Sequence, residues 1–408
     1  MSGLICYNTD MRNAYFDVAV IGAGASGLML AANLDMGYSS GVVLEGTSCI
    51  GKKLLMSGGG RCNITHGGSI KDFVSAYGEA GPTIRKCLYK HNNLELISWL
   101  EKRGVETTDE EGRIFPASMK AKDVLDALVS EAELSKWQIK TDAKVCGLKK
   151  NSDGTWIIEI KGGKGLEDSG QIEAKRVVVA TGGITYPETG SDGSMFELLK
   201  GLGLRITEPK SSLAPIYVKD YLYAELSGIS VQDVSVTVSG RADAERDAKA
   251  GTKGKSKPVS MRGDLLFTHE AFSGPVILNI SKHAREGASL SICYDKELGD
   301  LPRRMQRILQ DRARGESGDI KTKVLEGLLN KDEFIVKGVS ERGMVTSGGV
   351  LLDELDMSSM RCKSDGTLHI IGEALDADGI TGGYNLQLCW STACTCADAL
   401  RGILTNSY

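Results

Sequence analysis

The sequence has few prolines, no Cys-x-x-Cys pair and no long apolar run, and each absence excludes a class of protein. Only 8 of its 408 residues are proline, and they follow no collagen-like repeat. The ten cysteines show neither a Cys-x-x-Cys pair nor the Cys/His spacing of a zinc site, so we expect free thiols and no metal. No stretch approaches the roughly 20 apolar residues of a membrane-spanning helix, and the N-terminus lacks the features of a secretory signal. These absences predict a cytoplasmic protein.

The charge is nearly balanced, and glycine is in excess. Lys and Arg total 49 and Asp and Glu total 53, a formal net charge of −4 that argues against a protein that wraps nucleic acid. We therefore expect a small-molecule substrate and no nucleic acid partner. The 50 glycines are about 12% of the chain, against about 7% in ordinary proteins, so we expect them in tight turns and beside a ligand. The length is typical of two or three compact units.

A dinucleotide-binding pattern opens the chain. The apolar run at 17–22 predicts a buried parallel strand, and the helical segment that follows is expected to end at Gly37. A second strand ends at Glu45, which lies 18 residues beyond the last motif glycine. The motif Gly-x-Gly-x-x-Gly joins the first strand to the helix through Gly22, Ala23, Gly24, Ala25, Ser26 and Gly27.

Each part of this pattern has a physical reason. Gly22 permits a tight turn, Gly24 lets backbone approach a pyrophosphate at the helix N-terminus, and Gly27 lets the helix pack on the strand. The spacing to Glu45 is close to the roughly 20 residues expected for an acid that binds ribose hydroxyls. Because such an acid disfavours a 2′-phosphate, the pattern predicts FAD or NAD rather than NADP.

A second glycine cluster directly after Glu45 favours FAD over NAD. The isoalloxazine ring of FAD extends past the pyrophosphate and needs backbone without side chains against its face, which glycines supply. Lys53 is predicted to add positive charge near the phosphates, Arg61 to pair with the pyrophosphate or a substrate carboxylate, and Cys62 to be a buried, inert thiol. The residues of this cluster assigned to cofactor binding are Lys53, Ser57, Gly58, Gly59, Arg61, Cys62 and Asn63.

Three later segments complete the predicted cofactor site. Backbone around position 145 is placed to grip the adenine, and the buried strand that ends at 183 is expected to pass the pyrophosphate. Near the C-terminus, an acid is placed to bond ribitol hydroxyls, and a glycine turn opens a long helix aimed at the flavin. The residues assigned from these segments are Val145, Thr181, Gly182, Gly183, Glu373, Gly382, Gly383 and Asn385.

Several blocks of sequence resemble a known family. They include GAGASGL, GKKLLMSGGGRCNITH, ATGGITYPETGS, VTSGGV and GEALDADGITGGYNLQLCWS, in order from residue 17 to about 392. These blocks resemble the BaiN/RdsA-type (YhiN-like) NAD(P)/FAD-dependent oxidoreductases. The resemblance implies a two-dinucleotide-type Rossmann domain for FAD, an inserted β-barrel-like domain and a small helical subdomain. Similar proteins reduce unsaturated 3-oxo bile-acid intermediates, and others resemble an aminoacetone oxidase.

We predict an α/β protein whose FAD-binding domain is discontinuous, with residues 1–204 and 344–408 flanking an inserted domain at 205–343. Alternating apolar residues at 231–240 predict barrel strands in the insertion. Helices are expected there at three places: 271–285, 301–314 and 320–330.

The predicted activity is FAD-dependent oxidoreduction. We expect hydride to pass from NAD(P)H through the flavin to an activated C=C bond of a 3-oxo-enone, bile-acid-like substrate. Since the sequence has one Gly-x-Gly-x-x-Gly motif, NAD(P)H would bind only transiently. Two alternatives stay open: an FAD oxidase that acts on a small, aminoacetone-like amine and releases hydrogen peroxide, and a flavin-binding regulatory or RNA-modification accessory protein.

The sequence assigns no catalytic acid or base. His269 beside Glu270 is the leading histidine candidate, and Tyr186 and Tyr384 are candidate proton donors. For each of them, a structural hydrogen bond is the competing interpretation.

Overall fold

Strands and helices alternate along the described chain, which comprises residues 14–37, 39–162, 170–240, 257–314 and 316–405 of the computed structural model. The strands are β1 (Tyr15–Ile21), β2 (Gly41–Leu44), β3 (Thr65–His66), β4 (Thr107–Glu110), β5 (Arg113–Pro116), β6 (Trp137–Lys140), β7 (Ala143–Lys150), β8 (Trp156–Gly162), β9 (Gly170–Val179), β10 (Ile206–Ser212), β11 (Ile216–Val218), β12 (Ser230–Ser239), β13 (Val259–Phe267), β14 (Phe272–Ser273), β15 (Ser289–Cys293), β16 (Asp332–Val339), β17 (Val345–Val350), β18 (Leu355–Asp356), β19 (Arg361–Cys362) and β20 (Leu368–Ile370). The α-helices are α1 (Ala25–Asn33), α2 (Lys52–Met56), α3 (Ile70–Ala76), α4 (Gly81–Lys90), α5 (Asn93–Glu101), α6 (Ala121–Leu134), α7 (Ser194–Gly201), α8 (Pro275–Ile280), α9 (Arg303–Arg312), α10 (Gly318–Asn330) and α11 (Tyr384–Thr405).

The chain divides into two compact units. The first unit comprises residues 1–210 and 346–408, and the second comprises residues 211–345. The chain therefore leaves the first unit once and returns to it.

A mixed sheet lies at the centre of the first unit. Its strand order is β18-β19-β20-β9-β1-β2-β6, and β8 pairs with both β9 and β7. The strands β20, β9, β1, β2 and β6 run parallel, and Ile21 is in register with Leu44 and Val179. Their carboxyl ends therefore meet at one edge of the sheet, where Gly22, Glu45 and Ala180 follow. The central strands β1 and β2 are covered on both faces, which explains why residues 18–21 and 41–44 are apolar and buried.

The first helix is shorter than predicted. We expected it to end at Gly37, whereas α1 ends at Asn33. The Asn33 side chain donates to the Met29 carbonyl at 2.7 Å, and the Gly37 N–H donates to the Asp35 carboxylate at 2.9 Å. These side chains form local turn bonds that compete with the last helical turn.

The second unit contains the predicted barrel. Six antiparallel strands close in the order β11-β14-β13-β12-β15-β16, and α8, α9 and α10 belong to the same unit. Alternate side chains of β12 and β15 fill the interior, among them Val234, Val236 and Leu290. The core also holds one buried carboxylate, Asp332, which accepts a hydrogen bond from Tyr294 at 2.9 Å and pairs with Arg312 at 2.8 Å. These partners compensate a charge that would otherwise be costly to bury.

Candidate functional site

The three motif glycines have three different surroundings. Gly22 has φ +106°, and a Cβ there would lie 2.5 Å from the Ala180 carbonyl oxygen. A Cβ at Gly27 would lie 1.9 Å from the Gly22 carbonyl oxygen, so helix and strand pack in contact. A Cβ at Gly24 would meet no described atom within 4 Å. The motif therefore combines two close packing contacts with an open surface at the N-terminus of α1.

Glu45 is held in place at the end of β2. Its side chain is 7% exposed, and it accepts hydrogen bonds from the N–H groups of Ala23 at 3.1 Å and Thr47 at 2.8 Å. A Cβ at Gly190 would lie 3.3 Å from its Oε1 atom. The Glu45 carbonyl also accepts from Ala143 N–H at 2.8 Å, two residues before the assigned adenine position. The motif turn, the acid and the start of β7 are therefore neighbours.

Lys53 and Glu373 form an ion pair that joins four segments. Lys53 Nζ lies 2.7 Å from a Glu373 carboxylate oxygen and donates to Thr185 Oγ1 at 2.7 Å. Glu373 also accepts from the Thr346 N–H at 2.7 Å, and Thr346 Oγ1 accepts from the Ile184 N–H at 2.8 Å. The sequence analysis missed Thr185 and Thr346, because a threonine carries no motif of its own. The positive charge predicted for the phosphates is compensated here by Glu373.

The later glycine cluster 181–183 has no room for side chains. A Cβ at Gly183 would lie 1.9 Å from Thr346 Oγ1. Gly182 has φ +73°, and its Cβ would lie 2.8 Å from Ser191 Oγ. Thr181 is the residue between these glycines and Ala180. Backbone at these two glycines is thus packed closely against Ser191 and Thr346.

The second glycine cluster forms a tight turn with one open side. Residues Ser57–Gly60 make a kinked turn in which Gly58 and Gly59 have left-handed backbone, with φ +57° and +68°. A Cβ at Gly58 would lie 2.8 Å from Asn63 N, whereas a Cβ at Gly59 would meet no described atom within 4 Å. At Gly59 the turn therefore leaves a space that a ligand could occupy.

Asn63 connects this turn to the C-terminal loop. With its amide oriented to satisfy both sides, its oxygen accepts from Gly383 N–H at 3.1 Å and its nitrogen donates to the Thr65 carbonyl at 2.9 Å. Gly383 packs directly on β3, since a Cβ at Gly383 would lie 2.4 Å from the Thr65 carbonyl oxygen. Gly382 and Gly383 have φ +114° and +95° and lead into α11. The structure therefore brings together segments that are 320 positions apart.

Two assigned side chains, Arg61 and Asn385, have partners within the protein. Arg61 pairs with Glu110 at 3.0 Å and lies 4.5 Å over the Phe115 ring, so its charge already has a partner. The Asn385 amide accepts from Gly379 N–H at 2.9 Å and donates to the Gly379 carbonyl at 3.0 Å. It therefore shapes the loop before α11 with its own hydrogen bonds. Glu110 lies outside the sequence blocks, whereas Gly379 lies six residues before Asn385 in the same block.

Cys62 is a fully buried thiol. It has 0% exposure and a left-handed backbone with φ +61°. Burial disfavours the thiolate and raises the pKa of Cys62 from 9.0 to about 12.

We expect iodoacetamide at pH 8 to label Cys49 and Cys146, which are exposed, and to leave Cys62 unmodified in the native protein. The raised pKa lowers the thiolate fraction of Cys62 about a thousandfold. Peptide mass spectrometry measures the labelling, and protein unfolded in guanidinium is the control in which all three cysteines react. Rapid labelling of Cys62 in the native protein would contradict its burial.

The candidate acids and bases lie in different surroundings. His269 and Glu270 line a cleft of about 570 Å³ in the second unit. Tyr384 is 7% exposed, stacks on His66 with ring centroids 5.0 Å apart, and has its pKa raised by burial. Tyr186 accepts a hydrogen bond at its carbonyl from Thr189. Tyr384 therefore packs as a core ring, and no contact assigns a catalytic role to the other three.

The geometry fits a bound dinucleotide. The buried Ser191 Oγ lacks a hydrogen-bond partner among the described residues and lies beside Gly182. The open faces at Gly24 and Gly59 are surfaces that a Cβ would fill. Among residues 14–405 as described, no group of three metal-ligating side chains is present, and no helix has the length and apolar character to cross a membrane.

Comparison with known proteins places the chain in a family. The profile of the HI0933-like protein Rossmann domain matches residues 16–399. A ribosomal RNA dihydrouridine synthase of Haemophilus influenzae is 27% identical, with 94% of this chain and 98% of the relative covered. A 3-dehydro-bile acid delta(4,6)-reductase of Clostridium scindens is 26% identical, with 92% and 96% covered.

The fold also matches solved structures. A 3-ketosteroid delta1-dehydrogenase of Sterolibacterium denitrificans superposes with a TM-score of 0.53 at 13% identity, covering 96% of this chain and all of that one. This likeness is one of fold, and it confirms the Rossmann-type FAD-binding architecture with an inserted barrel. The resemblance read from the sequence blocks is confirmed as well: the chain belongs to the HI0933-like Rossmann family and is an FAD-dependent oxidoreductase.

Proposed function

We propose that this protein reduces a C=C bond that is conjugated to a carbonyl group. The names of the two relatives share this chemistry. A dihydrouridine differs from uridine by saturation of a ring C=C next to a carbonyl, and a delta(4,6)-reductase of a 3-dehydro bile acid saturates bonds conjugated to the 3-oxo group. The observation that carries the proposal is the open side of the Ser57–Gly60 turn, which Asn63 ties to the N-terminus of α11.

In this proposal the cofactor lies along the edge of the sheet. Glu45 binds ribose hydroxyls, the open turn at Gly24 receives the diphosphate at the N-terminus of α1, and Glu373 with Lys53 faces the ribityl chain. Gly59 leaves space for the ring, and the N-terminus of α11 places its partial positive charge near it. When bound, FAD supplies two-electron hydride transfer. The residues proposed to line the cofactor are Gly22, Gly24, Ala25, Ser26, Gly27, Glu45, Lys53, Ser57, Gly58, Gly59, Cys62, Asn63, Val145, Thr181, Gly182, Gly183, Glu373, Gly382 and Gly383.

The electron donor and the substrate class are part of the proposal. NAD(P)H is proposed to bind transiently, since the sequence carries one dinucleotide motif. The inserted domain at 205–343 is proposed to carry the substrate contacts. In sequence it separates the two parts of the FAD domain, 1–204 and 344–408. One relative's name specifies RNA and the other a steroid, so a uracil ring and a 3-oxo-enone are the two substrates to compare.

Anaerobic stopped-flow spectroscopy tests this function. We expect NADH or NADPH to bleach the flavin absorbance at about 450 nm, and a carbonyl-conjugated C=C substrate to restore it. The two substrates are a 3-oxo-Δ4,6 steroid and a uridine-containing RNA, and their saturated counterparts are the matched controls. Flavin that is inert to both nicotinamides but produces peroxide with aminoacetone would contradict the proposal.

A further inference from the structure

A second cavity, of about 300 Å³, lies within the first unit. Residues from α1, α5 and α11 line it. Its contributions from α11 run from Trp390 to Arg401, which is about 10 to 27 Å along the helix from Gly383. The cavity therefore lies beside the later turns of the helix whose first turn faces the proposed cofactor groove.

Two tryptophans give this cavity an aromatic wall and an unused donor. The rings of Trp99 and Trp390 meet edge to face, with centroids 5.5 Å apart. The Arg103 guanidinium lies 3.9 Å over the Trp99 ring and holds it in place. Trp390 is 3% exposed, and its Nε1–H has no acceptor among the described residues. Buried indole N–H groups normally have a hydrogen-bond partner. An acceptor atom of a ligand in the cavity would supply the partner that Trp390 Nε1–H lacks.

The charges around the cavity favour an anion. Asp398 is already paired with Arg401 at 2.7 Å and with His91 at 3.1 Å. Glu95 lies 3.4 Å from the other nitrogen of the same imidazole. Lys102, in contrast, makes no ion pair with any residue in the described part of the chain. Both lining carboxylates have basic partners, and one lysine is left uncompensated.

We propose that this cavity binds a small aromatic carboxylate, separately from the substrate of the cofactor groove. An oxygen of the ligand accepts the Trp390 N–H, its negative charge complements Lys102, and its ring packs against Trp99. A neutral apolar ligand would leave both the donor and the lysine without a partner, and a cation would face Lys102 and Arg401. The site is distinct from the proposed reductase function and does not depend on it.

Isothermal titration of the full-length, FAD-loaded protein with sodium benzoate tests the proposal, with benzyl alcohol as the neutral analogue. We expect saturable one-site binding of benzoate and at least about tenfold weaker binding of benzyl alcohol. Trp390→Phe keeps an aromatic ring but removes the N–H, and we expect at least about a tenfold loss of affinity. Lys102→Gln changes an exposed side chain without disturbing the core, and we expect about a fivefold loss.

Lys323→Gln is the matched control, because Lys323 is likewise exposed and makes no ion pair in the described chain, but lies in the second unit and outside the cleft that His269 and Glu270 line. It should bind benzoate as the unaltered protein does. The flavin absorbance spectrum, recorded during the titration, should stay unchanged, since the ligand does not enter the cofactor groove. Absence of saturable heat, equal affinity in the Lys102→Gln variant, or a flavin spectral shift on binding would each overturn the assignment.

Discussion

The Gly59→Val variant is expected to purify without bound FAD and to bind added FAD at least about 100-fold more weakly, a loss of about 2.7 kcal/mol. Gly59 has φ +68°, and the space beside it is open. A valine there would place two methyl groups in the space that we assign to the flavin ring. The absorbance of the purified protein at about 450 nm measures how much FAD is retained, and titration with FAD measures the affinity for FAD.

Gly104→Val is the control variant. It distinguishes the effect of a side chain in the cofactor groove from the effect of backbone strain. Gly104 has φ +78°, is exposed and has open space beside it, so valine costs similar strain there. We expect both variants to lower the melting temperature to a similar extent, while only Gly59→Val loses FAD. Full FAD loading of Gly59→Val would contradict the placement of the flavin ring at this turn. An equal loss of bound FAD in both variants would show that backbone strain causes the effect.

Replacing Glu45 by alanine should weaken FAD binding by about 2–3 kcal/mol, or about 30- to 150-fold. In the proposed site its carboxylate accepts hydrogen bonds from ribose hydroxyls, and charged acceptors make the stronger bonds. The same carboxylate orders the turn through Ala23 and Thr47, so the variant also lowers stability without cofactor. Melting curves with and without FAD distinguish the two effects, because lost affinity reduces the rise that FAD produces.

Glu131→Ala provides the comparison for this variant. Glu131 is a partly buried carboxylate paired with Arg103 at 2.9 Å, and it is not among the residues assigned to the cofactor. We expect it to lower the melting temperature of the protein but to leave FAD affinity unchanged. Unchanged FAD affinity in Glu45→Ala would remove the ribose role of Glu45.

Much of the site was predictable where the chemistry lies within one short segment. The glycines of the first motif and Glu45 follow strands that are recognisable from apolar residues alone, so their meeting at the sheet edge could be expected. The predicted burial of Cys62 is confirmed by its 0% exposure. The contacts of Lys53 were not predictable, because its partner Glu373 lies 320 residues away.

The contacts of side chains with several possible partners were harder to predict from the sequence. Arg61 had a phosphate or a carboxylate as its expected partner, and in the structure Glu110 of the neighbouring hairpin is closest. Asn385 has both a donor and an acceptor, and the Gly379 backbone satisfies both. Thr185 and Thr346 became visible only as partners of the ion pair. For Arg61, Thr185 and Thr346 the partner comes from a different segment of the chain, whereas Asn385 bonds to its own loop.

The amino-acid order alone determined the elements whose cause is local: strands from apolar β-branched runs, tight turns from glycine, and a helix N-terminus open to phosphate. Folding decided which of those elements meet. It brought the loop after Glu45 against the loop before α11, compensated Lys53 and Arg61 with carboxylates, and left Gly24 and Gly59 uncovered. The reason is physical: torsional preference and burial act within a few residues, whereas charge pairing and open space depend on atoms that only the folded chain brings within a few ångströms.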